Sequence, residues 1–392
     1  MTRCRVAIIA DDLTGALDAC APFAARGADA RVVVSRDQLS GVVAEWRDAP
    51  PEVVAINIES RHLSADAAAA QLTSAFQALA PLAPGLWFKK VDSTLRGQVI
   101  AECCALRDGV GLPLLLAPAV PAQGREVRGA EVWVDGVRLA DSDYRHDARS
   151  TPLLGPLDSA FAAAGLPLER IVPQPGMNLP HCDGVVDATG DGDLAMLYDA
   201  VLRSEGDFCL AGAGGLAQAV AQRLFGCLLG RRWAIASDLP RLYVVGSRAP
   251  RSEAQCQALR QAVPELTGLT PAELQMAAWL PMQLLLRPAD DEQRSPAQVA
   301  EALASAAAAW REAYPSGLLF ATGGDTALAI LERLEIGYLQ VVAEWAPGVV
   351  VSHCDGDAQQ TIITKAGGFG HDQLLVELHG VQHAEPPYAV SR

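Results

Sequence analysis

The chain lacks the signatures of several large protein classes. Its nine cysteines (Cys4, Cys20, Cys103, Cys104, Cys182, Cys209, Cys227, Cys256 and Cys354) are scattered, odd in number and without a C-x-x-C. That argues against a disulfide framework and against a zinc site, and fits a cytoplasmic protein. His353 and His371 stand alone, and no metal ligand is assigned. There is no G-x-x-x-x-G-K-[ST], so any nucleotide site is not a P-loop. There is no G-x-S-x-G elbow either. No apolar run approaches a membrane span, and the run Val6–Ala10 is too short for a signal peptide. An excess of positive charge is also missing. The formal net charge of −15 argues against a nucleic acid or an anionic membrane as partner. A small anionic ligand is still allowed, because a pocket can be locally basic.

What is present is an apolar α/β pattern. Half of the 392 residues are apolar, enough for a large core and for two or three domains. Val6–Ala10, Arg31–Ser35, Val53–Ile58, Leu86–Val91 and Leu112–Ala117 read as strands. Helices are expected at Gly15–Arg26, Ala65–Ala80 and Thr94–Arg107. This alternation predicts a mostly parallel sheet covered by helices. Asp135-Gly136 between alternating apolar residues predicts a hairpin. Residues 149–184 read as connecting structure with room for one short helix. Phe208–Ala211 reads as a strand leading into a helix that ends near Phe225. A second alternation follows, with strands Leu242–Val245, Gln283–Leu286, Leu318–Ala321, Val349–Ser352 and Thr361–Thr364. Its helices fall near Ser252–Val263, Ala297–Ala313 and Thr326–Leu334. The stretch 228–240 is the expected boundary, giving domains 1–235 and 236–392, and the last twelve residues read as a loose tail.

Polar and glycine-rich clusters recur where strands end, which is where open parallel sheets bind ligands. The first is A-D-D-L-T-G. Asp12 or Thr14 can cap the following helix, which accounts for one aspartate but not for both Asp11 and Asp12. The second is F-K-K-V-D-S-T-L-R-G at 88–97. Alternation along a strand puts Lys90 and Asp92 on one side and Lys89 on the other. Ser93 or Thr94 is expected to cap the next helix, with Arg96 in its first turn. Arginine binds carboxylates bidentately, so the basic groups are expected to receive an acid and to offset the Asp11–Asp12 pair. The plainer reading is a capped helix with a surface ion pair. The third is the loop 117–129 with Arg125 and Arg128, which otherwise reads as a solvated loop.

Two further clusters, A-T-G-G-D-T at 321–326 and T-K-A-G-G-F-G at 364–370, combine glycines with strand ends. Such glycines let a backbone approach a phosphate, and a helix N-terminus offers free N–H groups to it. V-V-G-S-R-A-P (244–250) is a third such end. Each alone is weak, since plain turns use the same residues. Gly212–Ala217 also matches G-x-G-x-x-A, with Asp238 further on. It is kept as an alternative, an NAD-dependent hydroxy-acid dehydrogenase, although the strand before Asp238 is poor. A non-catalytic binder of a small carboxylate or phosphate is the other rival.

In this order the motifs resemble the four-carbon acid sugar kinase family. The match runs through Ala10–Gly15, Lys90–Gly97, Pro118–Arg125 with Val134–Leu139, Gly246–Pro250, Thr322–Thr326 and Lys365–Gly370, nearly the whole chain. One departure is visible: Ala249 stands where the family has Ser before the Pro, and Arg248 takes a usually small position. The resemblance implies two α/β domains with the ligand site in the cleft between them, the first holding the acid sugar and the second ATP. It implies ATP contacts at Ser247, at Gly323, Gly324, Asp325 and Thr326, and at Gly367, Gly368 and Gly370. It implies acid-sugar contacts at Asp11, Asp12, Lys90, Asp92, Ser93 and Arg96, with Arg125 nearby. The expected reaction phosphorylates threonate, erythronate or 3-oxo-tetronate on the terminal 4-hydroxyl, with Mg²⁺ bridging the triphosphate. Asp12, Asp92 and Arg96 are the expected catalytic residues, Asp12 being preferred slightly over Asp11 as base. The domains are expected to close on one another. A homodimer is left open.

Overall fold

The computed structural model describes residues 3–146, 150–204, 207–229, 233, 235, 239–289 and 292–380. The expected tail, part of the 228–240 boundary stretch and Asp238 lie outside these residues. The chain forms two compact units. One comprises Met1–Arg231, Ile336–Glu344 and Cys354–Gly356, and the other Arg232–Glu335, Trp345–His353 and Asp357–Arg392.

The first unit begins β1 (Val6–Ala10), α1 (Leu13–Ala24), β2 (Ala30–Val33), α2 (Arg36–Trp46), β3 (Val53–Asn57) and α3 (Ala65–Leu79). It continues β4 (Trp87–Lys90), α4 (Val99–Val110), β5 (Leu114–Ala117), and a small antiparallel sheet of β6 (Arg125–Arg128), β7 (Glu131–Val134) and β8 (Val137–Arg138). α5 (Leu157–Ala163), β9 (Glu169–Ile171), β10 (Gly184–Val186), α6 (Asp191–Arg203), β11 (Cys209–Gly212) and α7 (Gly214–Phe225) complete it. The main strands pair in parallel in the order β2-β3-β1-β4-β11-β5-β10-β9. Every residue of β1, β3, β5 and β11 is buried, which is why these strands read as unbroken apolar runs rather than alternating ones. Lys89 and Lys90 of β4 reach to opposite faces, one towards α4 and the other towards α1.

The second unit holds β12 (Arg241–Val245), α8 (Pro250–Ala262), β13 (Thr267–Leu269), α9 (Pro271–Met276), β14 (Gln283–Leu286), α10 (Pro296–Ala313), β15 (Leu318–Thr322) and α11 (Gly324–Arg333). β16 (Tyr338–Ala346), β17 (Val349–Cys354), β18 (Asp357–Lys365) and α12 (Leu374–His379) follow. Strands β13-β14-β12-β15-β18 pair in parallel in that order. Residues 338–341 of β16 instead lie antiparallel on β2, within the first unit.

The α/β class and mostly parallel sheets are as expected, and the Asp135-Gly136 hairpin forms between β7 and β8. Two expectations are corrected. Residues 149–184 hold the one short helix expected there, α5, but they also hold β9 and lead into β10, strands of three residues each that are too short for periodicity to show. The helix expected from Thr94 starts at Val99 and is capped at Gln98, because Leu95 and Gly97 take positive φ (60° and 85°) and keep the chain out of a helix. Arg96 therefore sits in a tight turn, not in a helix's first turn. α2 was missed, since its mixed polar sequence carries only four buried positions.

Candidate functional site

In the first unit the ends of β3, β1, β4, β11 and β5 lie in register: Ala10 faces Asn57 and Lys90, and Gly212 faces Lys90 and Ala117. The loops leaving these strands therefore share one edge of the sheet. Asp12 is the N-cap of α1, with Oδ1 accepting from Gly15 N at 2.8 Å and Oδ2 from Thr14 Oγ1 at 2.7 Å. Asp11, 2% exposed, has a different partner. Arg61 donates to it from Nε at 2.7 Å and from Nη2 at 3.1 Å, and to Asp12 Oδ2 from Nη1 at 2.7 Å. The same guanidinium lies 3.9 Å from Asp92. Burial would raise the Asp11 pKa, but Arg61 and Lys89 outweigh it and hold the carboxyl below its ordinary value. Asn57 shapes the loop that delivers Arg61, donating to Val34 O at 3.1 Å and accepting from Glu59 N at 3.1 Å. Ser60 N then donates to Asp11 O at 3.1 Å.

Asp92 organises the turn after β4. Its Oδ2 accepts from Thr94 N at 3.0 Å, from Thr94 Oγ1, and from Arg96 Nε at 3.0 Å, while Oδ1 accepts from Arg96 Nη2 at 2.8 Å. Burial opposes ionisation of Asp92, but the Arg96 hydrogen bonds and charge prevail and lower its pKa well below the carboxylate range. Lys90, 6% exposed, pairs with Asp18 Oδ2 at 3.6 Å and donates to Val91 O at 3.0 Å. Lys89, fully buried, pairs with Glu102 at 3.2 Å, and Glu102 accepts from Ser60 Oγ. So the counter-charge of the Asp11–Asp12 pair is Arg61, and the expected offset by Lys90 and Arg96 is corrected. Those two basic groups have carboxylates of their own.

Ser93 is half-buried in the Asp92 turn. Arg125 is held elsewhere, by Gln123 O at 2.5 Å and by the ring and hydroxyl of Tyr144. Arg128 lies over Trp133 beside Glu126. The glycines of Gly212–Ala217 are explained by close packing: a β-carbon at Gly212 would lie 2.6 Å from Ala117 O, and one at Gly215 2.5 Å from Ala119 O. Arg61 and Asp18 were missed by the sequence reading. Arg61 follows a strand end, as the other clusters do, but without a neighbouring glycine or acid pair to mark it. Asp18 is a lone acid between Leu17 and Ala19 of α1, with no glycine or second acid beside it to mark it.

In the second unit Val245, Thr322 and Lys365 are aligned on adjacent strand ends. Three loops leave together: Gly246–Ala249, Gly323 at the head of α11, and Ala366–Gly370. Gly323 has φ 100°, and a β-carbon there would lie 3.7 Å from Ser247 N. A β-carbon at Gly367 would collide with Ser247 Oγ, and one at Gly246 with Thr326 Oγ1. Gly324 opens α11, exposed Asp325 follows it, and nothing crowds Gly368. Gly370 turns with φ 80°. Lys365 Nζ donates to Ala366 O at 3.1 Å, Gly367 O at 3.0 Å and Phe369 O at 3.2 Å, so it shapes this loop from beneath. Burial lowers its pKa to about 8. At the departure from the family pattern, Ala249 caps α8 without a side-chain acceptor, and Ser247 Oγ accepts from its N–H at 3.2 Å. Arg248 turns outward to Glu292 O. Bare backbone at aligned strand ends, with two helix N-termini, suits a polyphosphate.

Comparison with known proteins gives both halves a class. Residues 6–153 match the model of a sugar-binding N-terminal domain, and residues 282–375 that of a nucleotide-binding C-terminal domain. The D-threonate kinase of Cupriavidus necator is 32% identical over 413 residues, covering 94% of this chain and 95% of that protein. The 3-oxo-tetronate kinase of Pseudomonas fluorescens is 27% identical over 414 residues, 92% of this chain and 93% of that one. A crystal structure of a Haemophilus influenzae protein, 18% identical, shares the fold with a TM-score of 0.73 over 95% of this chain and 99% of that one. The chain is thus a two-domain sugar-acid phosphorylating enzyme. It belongs to the four-carbon acid sugar kinase family. No helix among the described residues is long and apolar enough to cross a membrane.

Proposed function

We propose that the chain transfers the γ-phosphoryl group of ATP to the terminal 4-hydroxyl of threonate, erythronate or 3-oxo-tetronate. The observation that carries this reading is the Asp11–Arg61–Asp12 and Asp92–Arg96 constellation at one sheet edge of the sugar-binding unit. Carboxylates and guanidiniums in alternation suit a ligand that has one acid end and several hydroxyls. In this reading Arg96, on a turn and with 34% of its side chain exposed, takes the substrate carboxylate together with Lys90. Asp11, Asp12, Asp92 and Ser93 orient hydroxyls, and Arg125 contributes from the flanking sheet.

The nucleotide lies on the second unit's three loops. Ser247, Gly323, Gly324, Asp325, Thr326, Gly367, Gly368 and Gly370 surround its phosphates, and the bare Gly367 lets its loop lie against Ser247. Among the described residues no group of three or more His, Cys, Asp or Glu could hold a metal, so Mg²⁺ would be carried mainly by triphosphate oxygens and would neutralise their charge. The Gly212–Ala217 dehydrogenase alternative is disfavoured because the relatives that match over most of this chain carry kinase names.

The test is ADP release with ATP and Mg²⁺ across a panel of tetronates, with NMR assignment of the phosphorylated carbon. One sugar acid should stand out, with phosphate on its fourth carbon. ADP release at the rate of the acid-free control for every tetronate would refute the reading. Stabilisation by NAD(H) but not by ATP in a thermal-shift comparison would point to a dehydrogenase.

A further inference from the structure

We infer that Asp18 accepts the proton of the attacking hydroxyl, the role the sequence reading gave to Asp12. This rests on the kinase reading above. Four carboxylates gather at the ends of β1 and β4, and a general base needs an oxygen that can take a proton without dismantling the site. Both Asp11 oxygens are held by Arg61, and both Asp92 oxygens by Arg96. Asp12 uses Oδ1 to cap α1 and Oδ2 for Arg61 and Thr14. Protonating any of the three breaks a guanidinium pair or a helix cap. These carboxylates form the frame.

Asp18 is built differently. It lies on the second turn of α1, and its polar partner is Lys90 at 3.6 Å. Its side chain is 27% exposed, which leaves a path for the proton to solvent. The head of α7 makes room for it: a β-carbon at Gly214 would lie 2.8 Å from Asp18 Oδ2. The groups facing it are Lys90 on β4, Asp92 beyond that strand, Asp12 at the start of α1, and the N-terminal end of α7. Burial, with Asp12 and Asp92, raises its pKa against the opposing charge of Lys90. It is thus the more basic carboxylate beside two whose pKa values are lowered, Asp11 and Asp92. In the step, the acceptor oxygen forms a bond to the γ-phosphorus as its proton passes to Asp18. The bond from phosphorus to the β–γ bridging oxygen breaks, and its electron pair leaves with ADP. Asp18 then gives the proton to water.

The experiment measures kcat, KM and the pH profile of kcat for wild type, Asp18→Asn, Asp18→Glu and Asp12→Asn, using the best tetronate, with calorimetric ATP binding as the folding control. Asp18→Asn should lower kcat by about 10²–10⁴-fold, change KM far less, and abolish the acidic limb. Asp18→Glu should restore part of the rate, and Asp12→Asn should keep the limb. A limb retained in Asp18→Asn, or lost only in Asp12→Asn, overturns the proposal. Should Asp18→Asn fail to bind ATP, Gly214→Ala decides: its β-carbon crowds Asp18 Oδ2, so kcat should fall and the acidic limb should move, and an unchanged kcat and limb overturn the proposal. A wild-type enzyme inactive on every tetronate would instead overturn the kinase reading itself.

Discussion

One guanidinium, that of Arg61, holds both oxygens of Asp11 and reaches Asp12 as well. Removing one partner of a buried ion pair strands the other, so Arg61→Ala should cost about 3 kcal/mol of stability at neutral pH. The sign with pH follows from the depressed pKa of Asp11. Its contribution is present above the unfolded value near 3.9 and is lost as pH falls through the folded value. Denaturant titrations should therefore show the gap between wild type and variant narrowing below about pH 4. A gap that stays constant down to pH 3 would show that Asp11 is not the group left unpaired.

Arg96 and Arg125 should separate in kinetics. Arg96 shares the Asp92 turn, whereas Arg125 is tied to Gln123 and Tyr144. Arg96→Ala should lower kcat/KM for the sugar acid by at least about 10²-fold, the loss expected when a bidentate carboxylate contact and its supporting turn go together. Arg125→Ala should do distinctly less. Equal losses would place Arg125 in the acid-sugar site on the same footing as Arg96.

The nucleotide loops offer a test that leaves the sugar site alone. Gly323→Ala puts a β-carbon on a residue with φ 100°, and Gly367→Ala drives one into Ser247 Oγ. Each should weaken ATP binding by about tenfold or more, since a strained or displaced loop no longer approaches the phosphates. Binding of the sugar acid, followed by calorimetry, should be unchanged.

Lys365 predicts a dependence on alkaline pH. Its pKa is lowered to about 8 by burial, below the unfolded value of about 10.4. Between these values the unfolded chain binds more protons, so stability should rise as pH climbs from about 8 to 10. Nucleotide affinity should move the other way, because a neutral amine cannot donate to all three carbonyls of the 366–369 loop. ATP titrations at pH 7 and 9 check this, and Lys365→Met should abolish the difference.

The sequence by itself determined the α/β architecture and the strand ends at which its polar and glycine-rich clusters sit. Buried parallel strands announce themselves as apolar runs, as Val6–Ala10 and Gln283–Leu286 do, and the glycine and aspartate clusters mark where they end. The hairpin at Asp135-Gly136 and the cap at Asp12 were legible because they are local. What only the tertiary structure decided was which charge meets which. Arg61 lies some fifty positions from Asp11 and Asp12, and Lys90 meets Asp18 across the packing of a strand against a helix. Ion pairing in a fold is set by the register of neighbouring strands, Ala10 beside Asn57 and Lys90, and no spacing along the chain encodes that register. The Asp92 turn likewise replaced an expected helix because positive φ at Leu95 and Gly97 stops a helix from starting there.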